Sequence, residues 1–370
     1  MDPRKFLEDC LKEMVEVNAS DLHLKAGCIP RIRVKGDVVL SKQPLVTAED
    51  MVQIANATLN DYQKNLLKER RGVDFAFDFK DFGRYRGNIF YQMGKLSMVV
   101  RVIKMKIPPF EDLHIPKIFE KVTLNHRGLI LVSGPTSSGK STTVAAMVQY
   151  INKNREAHVV TVEDPIEYVH KDDKCIINQR EIGDDVLTFA DALRYVVRQD
   201  PDIIVIGEMR DAESFHSAIA ASETGHLVIS TLHARNIMQC FDRILGFFPS
   251  EQHEQVLVQL SFNIKAISSQ RLIPKLDNTG LVPAFEILCS TPSIDKLIRE
   301  NRMEKITQAV QGGGQDGMQT FNQALLMLYK RQLISKEEAM MASDNPQQLE
   351  MNMKGIFLDE GTGGGILGND

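Results

Sequence analysis

The stretch Gly134-Pro-Thr-Ser-Ser-Gly139-Lys140-Ser141-Thr142 decides how the rest of the chain is read. A continuous apolar run, Leu129-Ile-Leu-Val-Ser133, precedes it, and residues 141–154 follow with Val144, Met147, Val148 and Ile151 on one helical stripe. Strand, turn of the form G-x-x-x-x-G-K-[ST], then helix is the arrangement in which backbone N–H groups wrap a phosphate chain at a helix N-terminus. The glycines let the backbone close around the anion, Lys140 bridges the β- and γ-phosphates, and the Ser141 hydroxyl is placed to ligate Mg²⁺. The expected contact set is Gly134, Pro135, Thr136, Ser137, Ser138, Gly139, Lys140, Ser141 and Thr142.

Working outward, the runs His158-Val-Val-Thr-Val162, Asp202-Ile-Ile-Val-Ile206 and Leu227-Val-Ile-Ser-Thr231 have the unbroken apolar character of strands buried on both faces. Amphipathic helical segments alternate with them, one carrying Phe189, Leu193, Val196 and Val197. This is α/β grammar with a parallel sheet, and such sheets bind ligands at the carboxyl ends of their strands. Two acidic groups fall at such ends, Glu163-Asp164-Pro-Ile-Glu167 and Gly207-Glu208. Hydrolysis needs one carboxylate to hold Mg²⁺ through water and another to orient the attacking water. His226 and His233 bracket the fourth run. His233 follows a strand of the same sheet and can sense a γ-phosphate, whereas His226 opens that strand and starts nearer the opposite edge.

Composition bounds the remainder. Lys+Arg 44 against Asp+Glu 49 gives a net charge of −5, which offers no global pull toward nucleic acid. The 370 residues, 43% hydrophobic, are enough for two domains. Cys10, Cys28, Cys175, Cys240 and Cys289 stand singly, without a C-x-x-C pair, and read as reduced thiols with no structural zinc. The N-terminus lacks the apolar run of a signal peptide, and no stretch reaches the roughly 18 apolar residues of a membrane span, so a cytoplasmic location is expected.

Residues 5–17 place Leu7, Leu11, Met14 and Val15 at helical spacing, and residues 21–24 and 31–39 alternate like strands. Segments 73–79, 84–91 and 96–103 are aromatic and β-branched, with Gln92-Met-Gly-Lys95 as the turn of a hairpin. Residues 1–107 therefore read as an α+β domain with an antiparallel sheet, and 108–126, which open on Pro108-Pro109, as an interdomain linker region. Residues 127–290 form the α/β core. The part from 291 to 345 is helical, with Phe321, Leu325 and Leu328 on one stripe and Ser335-Lys-Glu-Glu338 in capping-box form. Residues 346–370 read as a flexible tail.

The phosphate loop, Glu163-Asp-Pro-Ile-Glu167, Arg198-Gln-Asp-Pro-Asp202 with Gly207-Glu-Met-Arg-Asp211, and Thr224-Gly-His226 to Thr231-Leu-His233 together resemble the secretion ATPases. Within these, the chain is similar to the type IV pilus retraction ATPases (PilT/PilU-like), and Ser20-Asp-Leu-His23 and Gly83-Arg84 to Arg101 extend the likeness to about residues 1–345. The resemblance implies a PAS-like N-terminal domain, a RecA-like P-loop ATPase domain with a helical C-terminal part, and ATP and Mg²⁺ as cofactors. It implies a homohexamer with nucleotide bound where one subunit meets the N-terminal domain of a neighbour, peripheral to the inner membrane at a pilus platform protein. Glu163 would be the general base, Glu208 the Mg²⁺-water acid, and His233 and His226 nucleotide sensors. Arginine fingers would come from Arg84, Arg86 and Arg101, with Arg84 and Arg86 sharing a strand face.

Phe247-Phe248-Pro249 and Gly317-Met-Gln-Thr-Phe321 resemble the accessory, PilU-like branch, where a paralogous retraction ATPase is a further partner. The extension and type II secretion ATPases carry a tetracysteine module that the scattered cysteines do not supply. A nucleic-acid motor on the same core needs a basic, aromatic-lined channel, against which stand the absence of Trp and 6% aromatic content. A non-hydrolysing switch has no use for two acid groups.

Overall fold

The computed structural model describes residues 2–34, 36–79, 83–103 and 106–356. Two compact units divide the chain: Met1–Lys106 with Asp164–Val169 and Glu181–Asp185, and Ile107–Glu163 with His170–Arg180 and Val186–Asp370. The second unit thus lends two short segments to the first.

In the first unit β1 (Asp21–Lys25), β2 (Arg31–Val34), β3 (Asp37–Leu40), β4 (Gly72–Asp78), β5 (Arg84–Gln92) and β6 (Lys95–Val102) form one sheet in the order β3-β2-β1-β6-β5-β4. Every pairing is antiparallel. The β5–β6 hairpin turns at Met93 and Gly94, both at positive φ (49° and 73°), the backbone a two-residue turn of this hand demands. Helices α1 (Pro3–Glu16), α2 (Ala48–Thr58) and α3 (Asp61–Arg70) complete the unit. The Asp2 carboxylate accepts from the Arg4 and Lys5 N–H groups to start α1. Leu7, Leu11 and Met14 are buried as their spacing requires, but Val15, read as part of that stripe, is 51% exposed.

In the second unit β7 (Gly128–Ser133), β8 (His158–Glu163), β9 (Ile176–Glu181), β10 (Ile203–Ile206), β11 (Leu227–Leu232), β12 (Ile264–Pro274) and β13 (Leu281–Cys289) are ordered β13-β12-β7-β11-β10-β8-β9. The pairings from β12 through β8 are parallel, and β13 returns antiparallel on β12. Every residue of β7, β10 and β11 is buried, as their unbroken apolar runs predict. The unit's helices are α4 (Ile118–Thr123), α5 (Lys140–Asn154), α6 (Phe189–Val196), α7 (Ala212–Glu223), α8 (Ile237–Leu245), α9 (His253–Asn263), α10 (Pro292–Arg299), α11 (Ile306–Gly312), α12 (Phe321–Lys330), α13 (Lys336–Ala342) and α14 (Pro346–Met353). The α5 stripe of Val144, Met147, Val148 and Ile151 packs into the sheet core. Among the described residues no helix is long and apolar enough to cross a membrane.

Three boundary readings need correction. The stretch 108–126 is not a linker: Phe110, Ile115, Phe119 and Val122 lie in the core of the second unit, and Phe110 stacks on Tyr150 at 4.9 Å. Its opening Pro108-Pro109 pair lies just past the division at Lys106/Ile107 and misled the reading because proline pairs usually punctuate. The supposed tail from 346 begins with α14, whose Leu349 is fully buried beside Phe321 and Leu325 of α12. The last part of that tail, 357–370, lies outside the described residues. The Ser335 cap is also one-sided: its hydroxyl accepts from the Glu338 N–H, and among the described residues Glu338 makes no capping-box bond in return.

Candidate active site

Because β7, β8, β10 and β11 run the same way, residues that follow their last positions reach one edge of the sheet. Leu232 of β11 pairs in register with Ser133 of β7, so His233 and Gly134 leave the sheet side by side. The Gly207 N–H donates to the Val162 carbonyl and the Gly207 carbonyl accepts from the Thr231 hydroxyl (2.8 and 2.6 Å). One glycine therefore stitches together the ends of β8, β10 and β11, and Glu163 and Glu208 each stand one residue beyond the stitched positions.

The phosphate loop has the backbone its sequence demands. Gly134 (φ 154°) and Gly139 (φ 88°) adopt conformations that a side chain resists, and Gly139 caps α5. Ser137 is also left-handed, at φ 63°, a conformation that costs a non-glycine residue about 1 kcal/mol and marks the loop as held from outside. The Lys140 ammonium donates to the Gly134 and Pro135 carbonyls (2.9 and 3.0 Å) and so lies over the loop. Pro135, Thr136 and Ser137 are exposed, Gly134, Ser138 and Lys140 buried, and Ser141 and Thr142 half-buried at the helix start.

Glu163 accepts at Oε1 from the Thr161 hydroxyl (2.6 Å) and from Nε2 of Gln179 on β9 (3.2 Å). Glu208 accepts at Oε2 from Arg210 Nε (2.7 Å), and its Oε1 is 3.3 Å from His233 Nε2. Burial pushes the His233 imidazole below its ordinary pKa, and the Lys140 ammonium adds to the depression. At neutral pH the lowered pKa leaves the imidazole neutral, so this approach is not an ion pair, and the register of β11 on β7 places His233 beside the phosphate loop.

His226 is elsewhere. It stands before the first residue of β11, with its Nδ1 bound to the Ala221 carbonyl (2.9 Å) at the close of α7. Six strand residues at about 3.3 Å each separate it from His233, so it is corrected from nucleotide sensor to loop anchor. The arginines divide as well. All three share a sheet face, with Arg86 and Arg101 directly opposed in register. Arg84 binds Asp78 (3.0 Å) and Glu181, a carboxylate with 3% exposure (3.2 Å). Burial raises the Glu181 carboxyl, while the Ile166 N–H and Arg84 pull it down. Arg101 Nε donates to Asp21 at 2.7 Å, whereas among the described residues the carboxylate that Arg86 reaches is exposed Asp74, at 3.6 Å.

Two residues outside the sequence expectations belong here, Gln179 and Gln270, and neither sits in a recognisable motif. Gln270 is on β12, in residues 264–289, which the sequence reading leaves unassigned because Ser268, Ser269 and Gln270 put polar side chains at buried positions. Together the loop, the left-handed glycines and the start of a fifteen-residue helix fit a nucleotide phosphate chain. A side chain at Gly134 would strike the Gln270 carbonyl at 2.6 Å, so this close-wound cradle requires glycine. Mg²⁺ takes one or two protein oxygens and completes its shell with phosphate and water, which suits the hard donors Ser141 and Glu208.

Residues 92–355 match the family described as type II/IV secretion system protein. The chain is 40% identical to the type IV pilus ATPase PilU of Pseudomonas aeruginosa over 348 residues, 94% of this chain and 91% of that one. It is 43% identical to the type IV pilus retraction ATPase PilT of the same organism, over 87% of this chain and 93% of the relative. The crystal structure of the pilus retraction motor PilT with bound ADP superposes with a TM-score of 0.86 at 43% identity, covering 92% of this chain and 98% of that one. The resemblance carried by the sequence motifs is thus borne out, and so is the N-terminal domain followed by a RecA-like ATPase domain. The chain belongs to the type II/IV secretion system ATPases, within the group of PilT- and PilU-like type IV pilus ATPases.

Proposed function

We propose that this chain is the ATP-hydrolysing subunit of a homohexameric motor that retracts type IV pili from the cytoplasmic face of the inner membrane, acting on a platform protein there. The observation that carries the hydrolytic reading is the stitching of Glu163 and Glu208 to one sheet edge through Gly207. Lys140 and the loop N–H groups bind the β- and γ-phosphates. Glu163, oriented by Thr161 and Gln179, takes the proton of the water that attacks the γ-phosphorus as the bond to the β-phosphate oxygen breaks, leaving ADP and phosphate. Mg²⁺ bound at Ser141 and, through water, Glu208 would neutralise developing charge on the phosphates. His233, neutral and 3.3 Å from Glu208, lies beside the loop where it can report the γ-phosphate.

An arginine from a neighbouring subunit would complete the site. Of the three on the β5–β6 face, Arg86 is the best donor, since its bond to Asp74 is long and exposed and is given up at little cost. The longer match to PilU favours a second reading, an accessory retraction motor working beside a paralogous ATPase. Gene deletion scored for piliation and twitching tests these together. A retraction motor leaves pili in excess and abolishes twitching, an accessory motor shows the defect only when its paralogue is also impaired, and loss of pili would overturn both.

A further inference from the structure

We infer that Gln270 is a positioning residue for nucleotide binding, its carboxamide fixing the shape of the phosphate loop from the β12 side. The inference rests on the reading of that loop as the nucleotide site. Register delivers the residue: Ser269 pairs with Ser133 on β7, their hydroxyls are hydrogen-bonded, and Gln270 therefore emerges beside Gly134. Its Nε2 donates to the Ser138 carbonyl at 2.6 Å, immediately after left-handed Ser137. A Cβ on Gly139 would stand 3.2 Å from the same nitrogen, and one on Gly134 would stand 2.6 Å from the Gln270 carbonyl. The requirement for glycine at both ends of the loop thus comes partly from β12, and the phosphate is not its sole cause.

The chemistry of Gln270 argues for more than packing. The side chain is 1% exposed, and among the described residues its Oε1 has no hydrogen-bond partner. A buried orphan acceptor is costly, and a leucine or methionine in this place avoids that cost. What the carboxamide provides that they do not is one N–H aimed at a loop carbonyl. Pinning that carbonyl outward leaves the N–H groups that follow it, toward Lys140 at the start of α5, directed at the phosphates.

The test compares Gln270→Met, Gln270→Glu and wild-type full-length chains by titration with fluorescent ADP and by steady-state ATPase kinetics, with thermal melts to score folding. Gln270→Met keeps the shape and loses the donor, so the Kd for ADP and the KM for ATP should rise about tenfold with kcat changed far less. In Gln270→Glu the ionised carboxylate repels the Ser138 carbonyl, while the protonated acid donates to it again. Its Kd relative to wild type should therefore fall toward unity as pH is lowered from about 8 to about 6, burial having raised its pKa. Taking the ratio at each pH cancels the titration of His233 and of the nucleotide, and the Gln270→Met ratio should stay flat. A purely structural role would lower the melting temperature without this pH-dependent recovery. Unchanged ADP affinity in Gln270→Met, or a pH-independent ratio in Gln270→Glu, would overturn the inference. Lys140→Ala separates the two levels: if it too binds ADP normally, the nucleotide-site reading fails, and if it alone loses binding, only the role of Gln270 does.

Discussion

In the parallel sheet, Gly134, Glu208 and His233 lie just past strand ends, Glu163 closes β8, and all four reach one edge because their strands share a direction. In the antiparallel sheet, Arg84 and Arg86 lie on β5 and Arg101 on β6, which runs the opposite way, and each meets a carboxylate within its own unit. Strand direction converts sequence position into site position in the first case and does nothing of the kind in the second. What separates the arginines is the burial of their partners: Glu181 and Asp21 are buried, and Asp74 is exposed.

The sharpest way to break this contrast is to remove the arginines one at a time. Arg86→Ala should cut turnover about a thousandfold in the assembled protein while hardly moving its melting temperature. Mixing it with Lys140→Ala subunits should return part of the activity, since mixed rings contain interfaces with an intact loop facing an intact donor. Arg84→Ala should instead destabilise the first unit by about 3 kcal/mol, because it strands the buried Glu181 carboxylate. If Arg84→Ala leaves denaturant stability unchanged, or no mixture recovers activity, the division between structural and catalytic arginines is wrong.

On the parallel edge, Glu163→Gln should bind ATP normally and hydrolyse it at least about a hundredfold more slowly, whereas Glu208→Gln should also raise the Mg²⁺ concentration for half-maximal rate. Single-turnover and Mg²⁺-titration assays distinguish them. The two ends of β11 offer a smaller effect: His233→Ala should slow turnover about tenfold and His226→Ala less than about twofold, since only the former faces the phosphate loop. Equal losses would contradict the directional argument.

The smallest expected effect is on stability. Burial pushes the Glu286 carboxyl up to about 7, against the Ile237 N–H from which it accepts and with Asp344 adding to the rise. In the unfolded chain the same group titrates near about 4.3, so its stabilising contribution is fully present below that value and is lost as pH rises through about 7. Glu286→Gln should therefore gain on wild type by on the order of 1–3 kcal/mol between about pH 4.5 and 8, measured by chemical denaturation at both pH values. A pH-independent difference would show that Glu286 does not titrate as its burial implies.

The phosphate loop and both acids were legible because each is a motif attached to an apolar strand, and parallel pairing then leaves little freedom in where they meet. The rest was hidden by long-range partnership or by broken patterns. Nothing local distinguishes Arg84 from Arg86, since the buried partner of Arg84 lies 97 residues away. Strand β12 was illegible because Ser268, Ser269 and Gln270 interrupt its apolar run with buried polar side chains, and the partners of Ser269 and Gln270, Ser133 and Ser138, are supplied only by the fold. Residues 108–126 misread in the opposite sense, the Pro108-Pro109 pair outweighing four widely spaced core residues.

The parallel edge as a nucleotide-hydrolysing site is tested most directly by phosphate release from the full-length chain with Mg·ATP, alongside Lys140→Ala. Lysine removal should abolish measurable turnover and leave the melting temperature within a few degrees of wild type, because its bonds to the Gly134 and Pro135 carbonyls tie the ammonium to the loop rather than to the sheet core. Turnover near the wild-type rate in a folded Lys140→Ala chain would contradict it.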